Sequence, residues 1–366
     1  MKRKNKKKIY FLTPNIQPGG TESVVKIIAP ALEEQFDVGI ILLSGNPKDF
    51  RMTNKSISVE KIRFNGFYRY VYAFLDIRRI VNKKDILIPF GEASIIISFT
   101  LKLFTTNPNK NIVISCVRNH QTKFINSLKL GFIKKRILVL ALNYTDLVIG
   151  NSKSIIYDLK ENFKIKKPCQ VIYNPVTIPK VLLKTKKQKN KTFKILNIGR
   201  LETQKGQDYL IRAVLTLIKE GFDIELDIVG EGKKRSYLNS LVPSKYKDKI
   251  IIRQRTSNVA DYYTNCDLFC LPSLWEGMPN VLLEAMSYGL PCIAFDCESG
   301  PKEIFGSDRA GILIKVGDVD QLTKEIRKLI IDDVNLEKLS VKAKNRVEDF
   351  ETSRICDQWK TIIDEC

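Results

Sequence analysis

Two glutamates, Glu276 and Glu284, flank a segment that predicts the start of a helix. They are separated by seven residues, and Pro279 stands between them where a proline commonly opens a helix. Apolar residues then repeat at helical spacing up to Gly289, which is typical of a residue that closes a helix. The two carboxylates are therefore expected on either side of a helix N-terminus.

The first turn of this helix predicts an anion site. The backbone N–H groups of Asn280, Val281 and Leu282 have no helical carbonyl available to them, which suits a diphosphate. A carboxylate beside a phosphate site is repelled by it, so Glu276 is better explained by the hydroxyls of a neutral sugar. Glu284 is placed to take ribose hydroxyls. The alternative is an acid that favours the helix dipole and an acid on the helix surface.

The elements around this helix predict where it lies in the fold. A short apolar run over 267–272 is typical of a buried strand, a loop over 273–277 follows, and 291–295 starts another strand after the helix. A strand, loop, helix, strand unit places the loop and the helix start at the carboxyl edge of a parallel sheet. Ligands of open α/β folds bind at that edge.

Basic and glycine residues follow two other predicted strands. Gly199-Arg200 ends the strand over 194–198, and Lys205-Gly206 precedes a helix, so the two cations suit phosphate oxygens. The alternative is two surface bases. Gly19-Gly20 lies between the first strand and the first helix, where glycines allow a phosphate or sugar close to the backbone. Two adjacent glycines are also simply a tight turn.

A third group of polar residues follows the strand over 111–117. Arg118, Asn119 and His120 come directly after it, and His120 is the only histidine in the chain. It is therefore the only side chain whose unperturbed pKa lies near neutrality. A single histidine more often has a structural role than a chemical one.

The ordered motifs resemble one known family. Glu-Gly-Met-Pro-Asn-Val-Leu-Leu-Glu, from Glu276 to Glu284, is similar to the signature of retaining glycosyltransferase family four, and Ser299-Gly300-Pro301 is a further mark. The resemblance covers about Ile9 to Ile363. It implies an α/β fold of the GT-B type, with two facing Rossmann-like domains, parallel sheets and a C-terminal helix that crosses back to the N-terminal domain.

The resemblance also implies roles for these residues. Catalysis would involve Glu276, Arg200, Lys205 and His120, with negative charge on the departing β-phosphate stabilised by the two cations. Donor-binding residues would be Gly19, Gly20, Gly199, Asn280, Val281, Leu282 and Glu284, and the acceptor or sugar vicinity would hold Arg118, Asn119 and Gly277. No metal and no other cofactor is expected. The acceptor's proton would pass to the departing phosphate.

The resemblance also implies a limited set of donor and acceptor substrates. The stretch 295–303 is similar to members that transfer hexosamines or hexoses to lipid-linked glycans, which indicates a UDP-sugar such as UDP-GalNAc, UDP-GlcNAc or a UDP-hexose. The stretch 253–258 lacks a glycine that many members have, which leaves the base open. The alternatives are a GDP-sugar mannosyl- or glucosyltransferase, a sugar-nucleotide epimerase and a non-enzymatic polyanion binder.

Length and composition predict two domains and a linker, and the resemblance implies the roles of the domains and a returning helix. The 366 residues suit two domains, and a 44% hydrophobic content excludes a disordered chain. We expect an N-terminal acceptor-binding domain over 1–175, a lysine-rich linker over 176–193, a C-terminal nucleotide-sugar domain over 194–349 and a returning helix over 350–366. Scattered cysteines indicate reduced thiols and a cytoplasmic chain.

The net charge of +21 predicts a polyanionic partner. We expect an anionic membrane surface and a lipid-linked acceptor rather than nucleic acid, because basic and aromatic residues recur over 61–84 and 122–144. The alternative for both segments is a core-facing helix with a solvated face. No apolar run reaches the roughly 18 residues of a spanning helix, so we expect peripheral association with the inner face of the membrane.

Overall fold

The chain divides into two compact units. A computed structural model describes residues 6–14, 20–45, 47, 57–66, 68–104, 111–126, 131–179, 192–256 and 258–366. Unit 1 is Met1–Pro175 with Thr352–Cys366, and unit 2 is Val176–Glu351. Most of the segment expected to be a linker, 180–191, lies outside the described residues. Just before it, the Val176 N–H donates to the Phe350 carbonyl at 2.8 Å.

Unit 1 contains a seven-stranded parallel sheet in the order β3-β2-β1-β4-β5-β6-β7. Its strands are β1 (Lys8–Thr13), β2 (Asp37–Leu42), β3 (Ser58–Lys61), β4 (Ile86–Pro89), β5 (Ile112–Val117), β6 (Leu147–Gly150) and β7 (Cys169–Val171). The apolar run over 171–173 predicts a strand, but β7 starts two residues earlier, because the edge of a sheet accepts the exposed polar Gln170. Since β1 pairs with both β2 and β4, the strand order reverses there, and such a switch point is where ligands bind.

Helices cover both faces of this sheet. They are α1 (Gly20–Leu32), α2 (Arg69–Ile80), α3 (Glu92–Phe104), α4 (Gln121–Asn126), α5 (Gly131–Asn143) and α6 (Lys153–Glu161). The segment 122–144 was expected as one helix, but it holds α4 and α5, separated by 127–130, which lie outside the described residues. Gly131 starts α5 where a Cβ would lie 2.4 Å from the Ile125 carbonyl oxygen, so the two helices approach too closely there for a larger residue.

Unit 2 contains a six-stranded parallel sheet in the order β10-β9-β8-β11-β12-β13. Its strands are β8 (Phe193–Ile198), β9 (Ile224–Val229), β10 (Ile250–Arg253), β11 (Leu268–Leu271), β12 (Cys292–Phe295) and β13 (Ile312–Ile314). Its helices are α7 (Gln207–Lys219), α8 (Arg235–Ser240), α9 (Ala260–Thr264), α10 (Asn280–Ser287), α11 (Pro301–Phe305), α12 (Val319–Ile331) and α13 (Asp333–Val347). Its order reverses at β8, which pairs with β9 and β11.

The last helix, α14 (Thr352–Glu365), completes the core of unit 1. Its Trp359 is buried and stacks on Phe90 at 6.2 Å between ring centroids, with Phe11 edge-on at 6.4 Å. Two parallel sheets with helices on their faces confirm the expected α/β class and its Rossmann-like domains. In the described residues no helix combines the length and the apolar character that crossing a bilayer requires.

Candidate functional site

An ion pair between Lys205 and Glu276 lies at the carboxyl edge of the unit 2 sheet. The Lys205 Nζ and Glu276 Oε1 atoms are 2.5 Å apart, and the side chains are only 14% and 7% exposed. Lys205 follows β8 and Glu276 follows β11, which are neighbouring parallel strands whose carboxyl ends meet at the same edge. The sequence predicted that both would lie at this edge, but not that they would contact each other.

The loop carrying Lys205 is tied to the loop carrying Glu276. The Leu274 N–H donates to the Gln204 carbonyl, and the Gln204 side chain donates to the Trp275 carbonyl, both at 2.8 Å. Gly206 has φ +59°, and a Cβ there would lie 2.1 Å from the Pro272 carbonyl oxygen. Only glycine fits between these two loops. The close approach is what brings the ammonium to the carboxylate.

The Ser299-Gly300-Pro301 motif fixes the backbone of Glu276. The Ser299 hydroxyl donates to the Glu276 carbonyl at 2.6 Å and lies 3.1 Å from the Gly277 carbonyl oxygen. Gly300 has φ +92°, and a Cβ there would lie 2.6 Å from the Gly277 oxygen. The motif is therefore a support for the glutamate loop, a role that the sequence alone did not reveal.

The N-terminus of α10 offers fewer amides than the sequence predicted. The Leu282 N–H donates to the Pro279 carbonyl at 3.1 Å, so its inclusion in the anion site was wrong. A tightened first turn of this kind satisfies a donor that an ideal α-helix leaves without a partner. The Val281 N–H makes no hydrogen bond within the described residues, and Asn280 is the first residue of the helix. The candidate anion site is thus centred on Asn280 and Val281.

Glu284 is partly buried and is not a surface acid. Its Oε2 atom accepts a hydrogen bond from the Tyr263 hydroxyl at 2.9 Å, and Tyr263 stacks on Tyr288 at 5.2 Å. Burial raises the pKa of the Glu284 carboxyl, an effect that the Tyr263 hydrogen bond partly offsets. Tyr263 holds the carboxylate in one orientation, and nothing in the motif spacing predicted that contact.

Arg200 is the exposed cation of the same edge. Its guanidinium contacts the Glu202 carboxylate at 3.0 Å and the Gln204 side-chain oxygen at 3.1 Å, and 64% of the side chain is exposed. Gly199 lies next to the stem of Lys205, since a Cβ added to it would be 3.6 Å from the lysine Cδ. Both cations thus have a carboxylate partner, which the sequence did not predict.

In unit 1, Arg118 and Asn119 line a cavity of about 270 Å³ at the switch point of the sheet. Arg118 is buried over the Phe90 ring, its centroid 5.3 Å away, and donates to the Asn174 side-chain oxygen at 2.5 Å. Burial lowers the pKa of this guanidinium to about 10. Because no ion pair is found for Arg118 within the described residues, this buried cation faces the cavity without a carboxylate partner.

Two further residues of this cavity were missed from the sequence. Glu92 starts α3 directly after β4, and burial raises the pKa of its carboxyl. Gln121 is 2% exposed and its Oε1 atom has no hydrogen-bond partner within the described residues. The apolar run over 85–90 predicts a strand, and Gly91-Glu92 follows it just as Arg118 follows the strand over 111–117, so that position was the signal available. The cavity therefore combines a carboxyl, an amide and a guanidinium.

His120 lies beside a buried carboxylate that the sequence did not indicate. Its Nδ1 atom lies 3.3 Å from Asp158 Oδ2. Asp158 is 1% exposed and accepts hydrogen bonds from the Thr122 N–H at 3.0 Å, the Thr122 hydroxyl at 2.5 Å and the Asn162 amide at 2.8 Å. This geometry turns the Nδ1 side of the imidazole toward Asp158.

The remaining candidates are glycines. Gly20 is the exposed first residue of α1, whereas Gly19 lies outside the described residues. Gly277 is buried under Ser299. Across the described ranges, no group of three or more His, Cys, Asp or Glu side chains is arranged to hold a metal ion.

Residues 181–346 match the family model described as glycosyl transferases group 1. The chain carries a glycosyl transferases group 1 domain. It is 28% identical over 364 residues to an uncharacterized glycosyltransferase of Haemophilus influenzae, covering 98% of this chain and all of that protein. It is 26% identical over 379 residues to a 4-alpha-N-acetylgalactosaminyltransferase of Campylobacter jejuni, covering 97% and 99% of the two chains.

Solved structures share the fold. Anabaena HepE, solved in complex with UDP, superposes with a TM-score of 0.81 at 18% identity, covering 98% of this chain and all of that one. Sucrose-phosphate synthase of Thermosynechococcus elongatus superposes with a TM-score of 0.82 at 15% identity, covering 98% and 99%. These likenesses confirm the GT-B fold expected from the sequence.

The group 1 domain holds the Lys205–Glu276 pair, Arg200 and the start of α10 at one edge. A lysine and an arginine beside helix amides stabilise negative charge, and a nearby carboxylate accepts hydrogen bonds from hydroxyls. The chain is accordingly a glycosyltransferase. Arg118 and His120 lie outside the matched residues, in unit 1.

Proposed function

We propose that this chain is a retaining glycosyltransferase that works without a metal and moves a sugar from a UDP-sugar to a hydroxyl of a lipid-linked or surface-polysaccharide glycan. The observation that carries the proposal is the partly enclosed Lys205–Glu276 pair beside the start of α10 within the group 1 domain. It joins a cation for phosphate and a carboxylate for hydroxyls in a single contact.

The proposed reaction breaks the bond between the anomeric carbon and the β-phosphate oxygen and forms a bond from that carbon to the acceptor oxygen. The acceptor's proton passes to the departing diphosphate on the same face of the sugar. Lys205, Arg200 and the amides at Asn280 and Val281 stabilise the developing phosphate charge, and each such group typically contributes a factor of about 10²–10³ in rate. Glu276 holds sugar hydroxyls and Glu284 holds the ribose.

The donor is proposed to be a UDP-sugar carrying GalNAc, GlcNAc or a hexose. Support comes from relatives: the Campylobacter jejuni protein is named an N-acetylgalactosaminyltransferase, and HepE was solved with UDP. An Escherichia coli relative, 30% identical over 163 residues, is named a UDP-Gal galactosyltransferase. A GDP-sugar mannosyltransferase is the nearest alternative.

The acceptor is proposed to be a lipid-linked glycan at the inner face of a membrane. The Campylobacter jejuni and Escherichia coli relatives are both named for diphosphoundecaprenol substrates. An anionic lipid carrier also suits the net charge of +21. The Arg118 cavity, with its guanidinium, amide and carboxyl groups, is proposed to bind the acceptor glycan, and His120 to contact the donor sugar.

The test is transfer by the purified protein with a lipid-linked acceptor and a panel of UDP- and GDP-sugars. We expect one UDP-sugar to give a product whose new linkage has the anomeric configuration of the donor. Glu276→Ala should lose transfer, while Glu337→Ala, an exposed acid on α13, should retain it. Transfer from a GDP-sugar alone would replace the donor assignment, and full transfer by Glu276→Ala would overturn the site.

A further inference from the structure

Three helices of unit 1 pack side by side on one face of its sheet. Helix α3 lies between α2 and α5 and contacts both. On the inner side, Ala73 and Ile77 of α2 and Ile97 of α3 pack against the sheet, while Leu138 of α5 packs in the adjoining core cluster. The outward surface of α2, α3 and α5, with Tyr68 and Tyr144 at the helix ends, is called the outer helix layer below.

Helix α5 exposes an apolar stripe on this layer. Ile133, Ile137, Leu140 and Tyr144 are all exposed and recur at spacings of four, three and four, which places them along one side of the helix. Leu140 is 54% exposed, and Phe132 at the start of the helix is 67% exposed. The helix is therefore apolar on its buried side and again on the side that faces out.

Helix α2 repeats the pattern. Tyr68, Val71, Tyr72 and Leu75 are exposed at helical spacing, with Tyr68 60% and Val71 53% exposed. Leu103 of α3, between them, is 47% exposed. The Tyr144 ring after α5 meets Phe99 of α3 at 5.1 Å, which links the two helices at that end. The exposed apolar side chains of three neighbouring helices thus share one side of the unit, and such a surface marks an interaction site.

Cations surround this apolar surface. Arg69, Arg78 and Arg79 on α2 and Lys134 and Arg136 on α5 are all exposed. The acids on these helices are fewer: Asp76 is taken by Arg63 at 2.7 Å, and Glu92 lies in the cavity at the far end of α3. A second copy of the chain would bring like charges together at this face. An anionic bilayer accepts both the apolar stripe and the basic rim.

We propose that the outer helix layer is a membrane-docking face that lies in the headgroup region of an anionic bilayer. The exposed aliphatic and aromatic side chains enter the acyl boundary, and the arginines and lysines contact lipid phosphates. This proposal specifies which surface of the chain would contact the membrane proposed above. It rests on the proposed function only in that a lipid-linked acceptor gives the enzyme a reason to bind a membrane. Binding itself is measured without any sugar nucleotide.

The experiment is flotation of the purified chain with vesicles of phosphatidylcholine, alone or mixed with phosphatidylglycerol. We expect the protein to float with the mixed vesicles and to be released by high salt. The double variant Ile133→Ser/Leu140→Ser should lose at least about tenfold in binding, because the lost apolar surface no longer enters the acyl boundary. Arg78→Gln/Arg79→Gln should lose the preference for phosphatidylglycerol.

A matched control separates docking from general stickiness. Val334→Ser/Val341→Ser removes two exposed apolar side chains from α13 of unit 2, and it should bind vesicles as the unaltered protein does. Because the four positions changed to serine are exposed, both serine variants should keep their melting temperature and their transfer to a soluble short-chain acceptor. A variant that keeps transfer but loses vesicle binding has lost docking and not the proposed activity, so the two failures can be told apart.

Three results would overturn the docking face. One is equal vesicle binding by the Ile133→Ser/Leu140→Ser variant and the control, and another is no binding of the unaltered chain to mixed vesicles. The third is a concentration-dependent dimer that only the α5 variant abolishes, which would make the layer an interface between copies of the chain.

Discussion

The Lys205 ammonium and the Glu276 carboxylate are 2.5 Å apart although they are 71 positions apart in the chain. Their contact joins the ends of β8 and β11, so a group suited to phosphate and a group suited to hydroxyls form one unit. A ligand that bridges them must contact both or separate them. The two residues should therefore behave as coupled in any functional measurement.

We predict that Lys205→Ala and Glu276→Gln each lower kcat/KM for transfer by about 10²–10³. The double variant should lose much less than the product of the two factors, because neighbours in one network are not additive. Steady-state kinetics on the two single variants and the double variant measure this coupling. Lys249→Ala, which breaks the more exposed Lys249–Asp223 pair of unit 2, is the control and should leave kcat/KM unchanged. Strict additivity would show that the pair does not act as a unit.

We expect that replacing Gly300 by any residue with a side chain lowers the stability of unit 2. We predict that Gly300→Ala destabilises unit 2 by at least about 2 kcal/mol, because φ is +92° and the new Cβ would collide with the Gly277 carbonyl. Gly221→Ala is a matched control with φ +95° and open space around the Cβ, so it measures the backbone strain alone at about 1–2 kcal/mol. Denaturant unfolding checks both. Equal losses would mean that the Ser299-Gly300 support of the glutamate loop is not tightly packed.

His120 should depend on Asp158. We predict that Asp158→Asn lowers kcat about tenfold with little change in the donor KM, because a charged acceptor is replaced by a neutral group beside Nδ1. Thr122→Val, which removes a hydroxyl bonded to Asp158 but leaves the histidine contact, is the control for packing. Should both variants lose the same activity, Asp158 would be a structural carboxylate only.

Glu284 should make the unfolding free energy depend on pH. Burial raises its pKa above the ordinary 4.5, so the folded state binds the proton more tightly than the unfolded state does. Stability is then greatest below pH 4.5 for this group and falls as the pH rises through the raised value. We predict that Glu284→Gln flattens this part of the profile, raises the melting temperature near neutral pH and weakens donor binding. Glu337→Gln is the control, and an unchanged profile in Glu284→Gln would contradict the assignment.

The sequence predicted most of the scaffold because buried strands and apolar helix faces repeat over short distances. The strands β6, β10 and β13 are built on the short apolar runs over 147–149, 250–252 and 312–314. The edge strand β7 did not, since Gln170 can face water at a sheet edge. The prediction of a single helix over 122–144 was wrong, since α4 ends at Asn126 and Gly131, which starts α5, lies against the Ile125 carbonyl.

The site could be predicted as a location but not as a set of contacts. Residues that directly follow the strands of a parallel sheet lie at its carboxyl edge. The sequence could therefore predict that Lys205 and Glu276 lie at the same edge. The Asp158 and Tyr263 contacts depend on which side of a helix faces the site, and short polar segments do not fix that. Leu282 was misassigned because the first turn of α10 is tightened by the Pro279 carbonyl.

The measurement that tests the central claim most directly is calorimetric titration of UDP, UMP and uridine into the unaltered chain and Lys205→Ala. We predict that UDP binds the unaltered chain more tightly than UMP does, UMP more tightly than uridine, and that Lys205→Ala loses most of the advantage of UDP while keeping its affinity for uridine. If Lys205→Ala binds UDP as tightly as the unaltered chain does, the diphosphate lies elsewhere and the account is wrong.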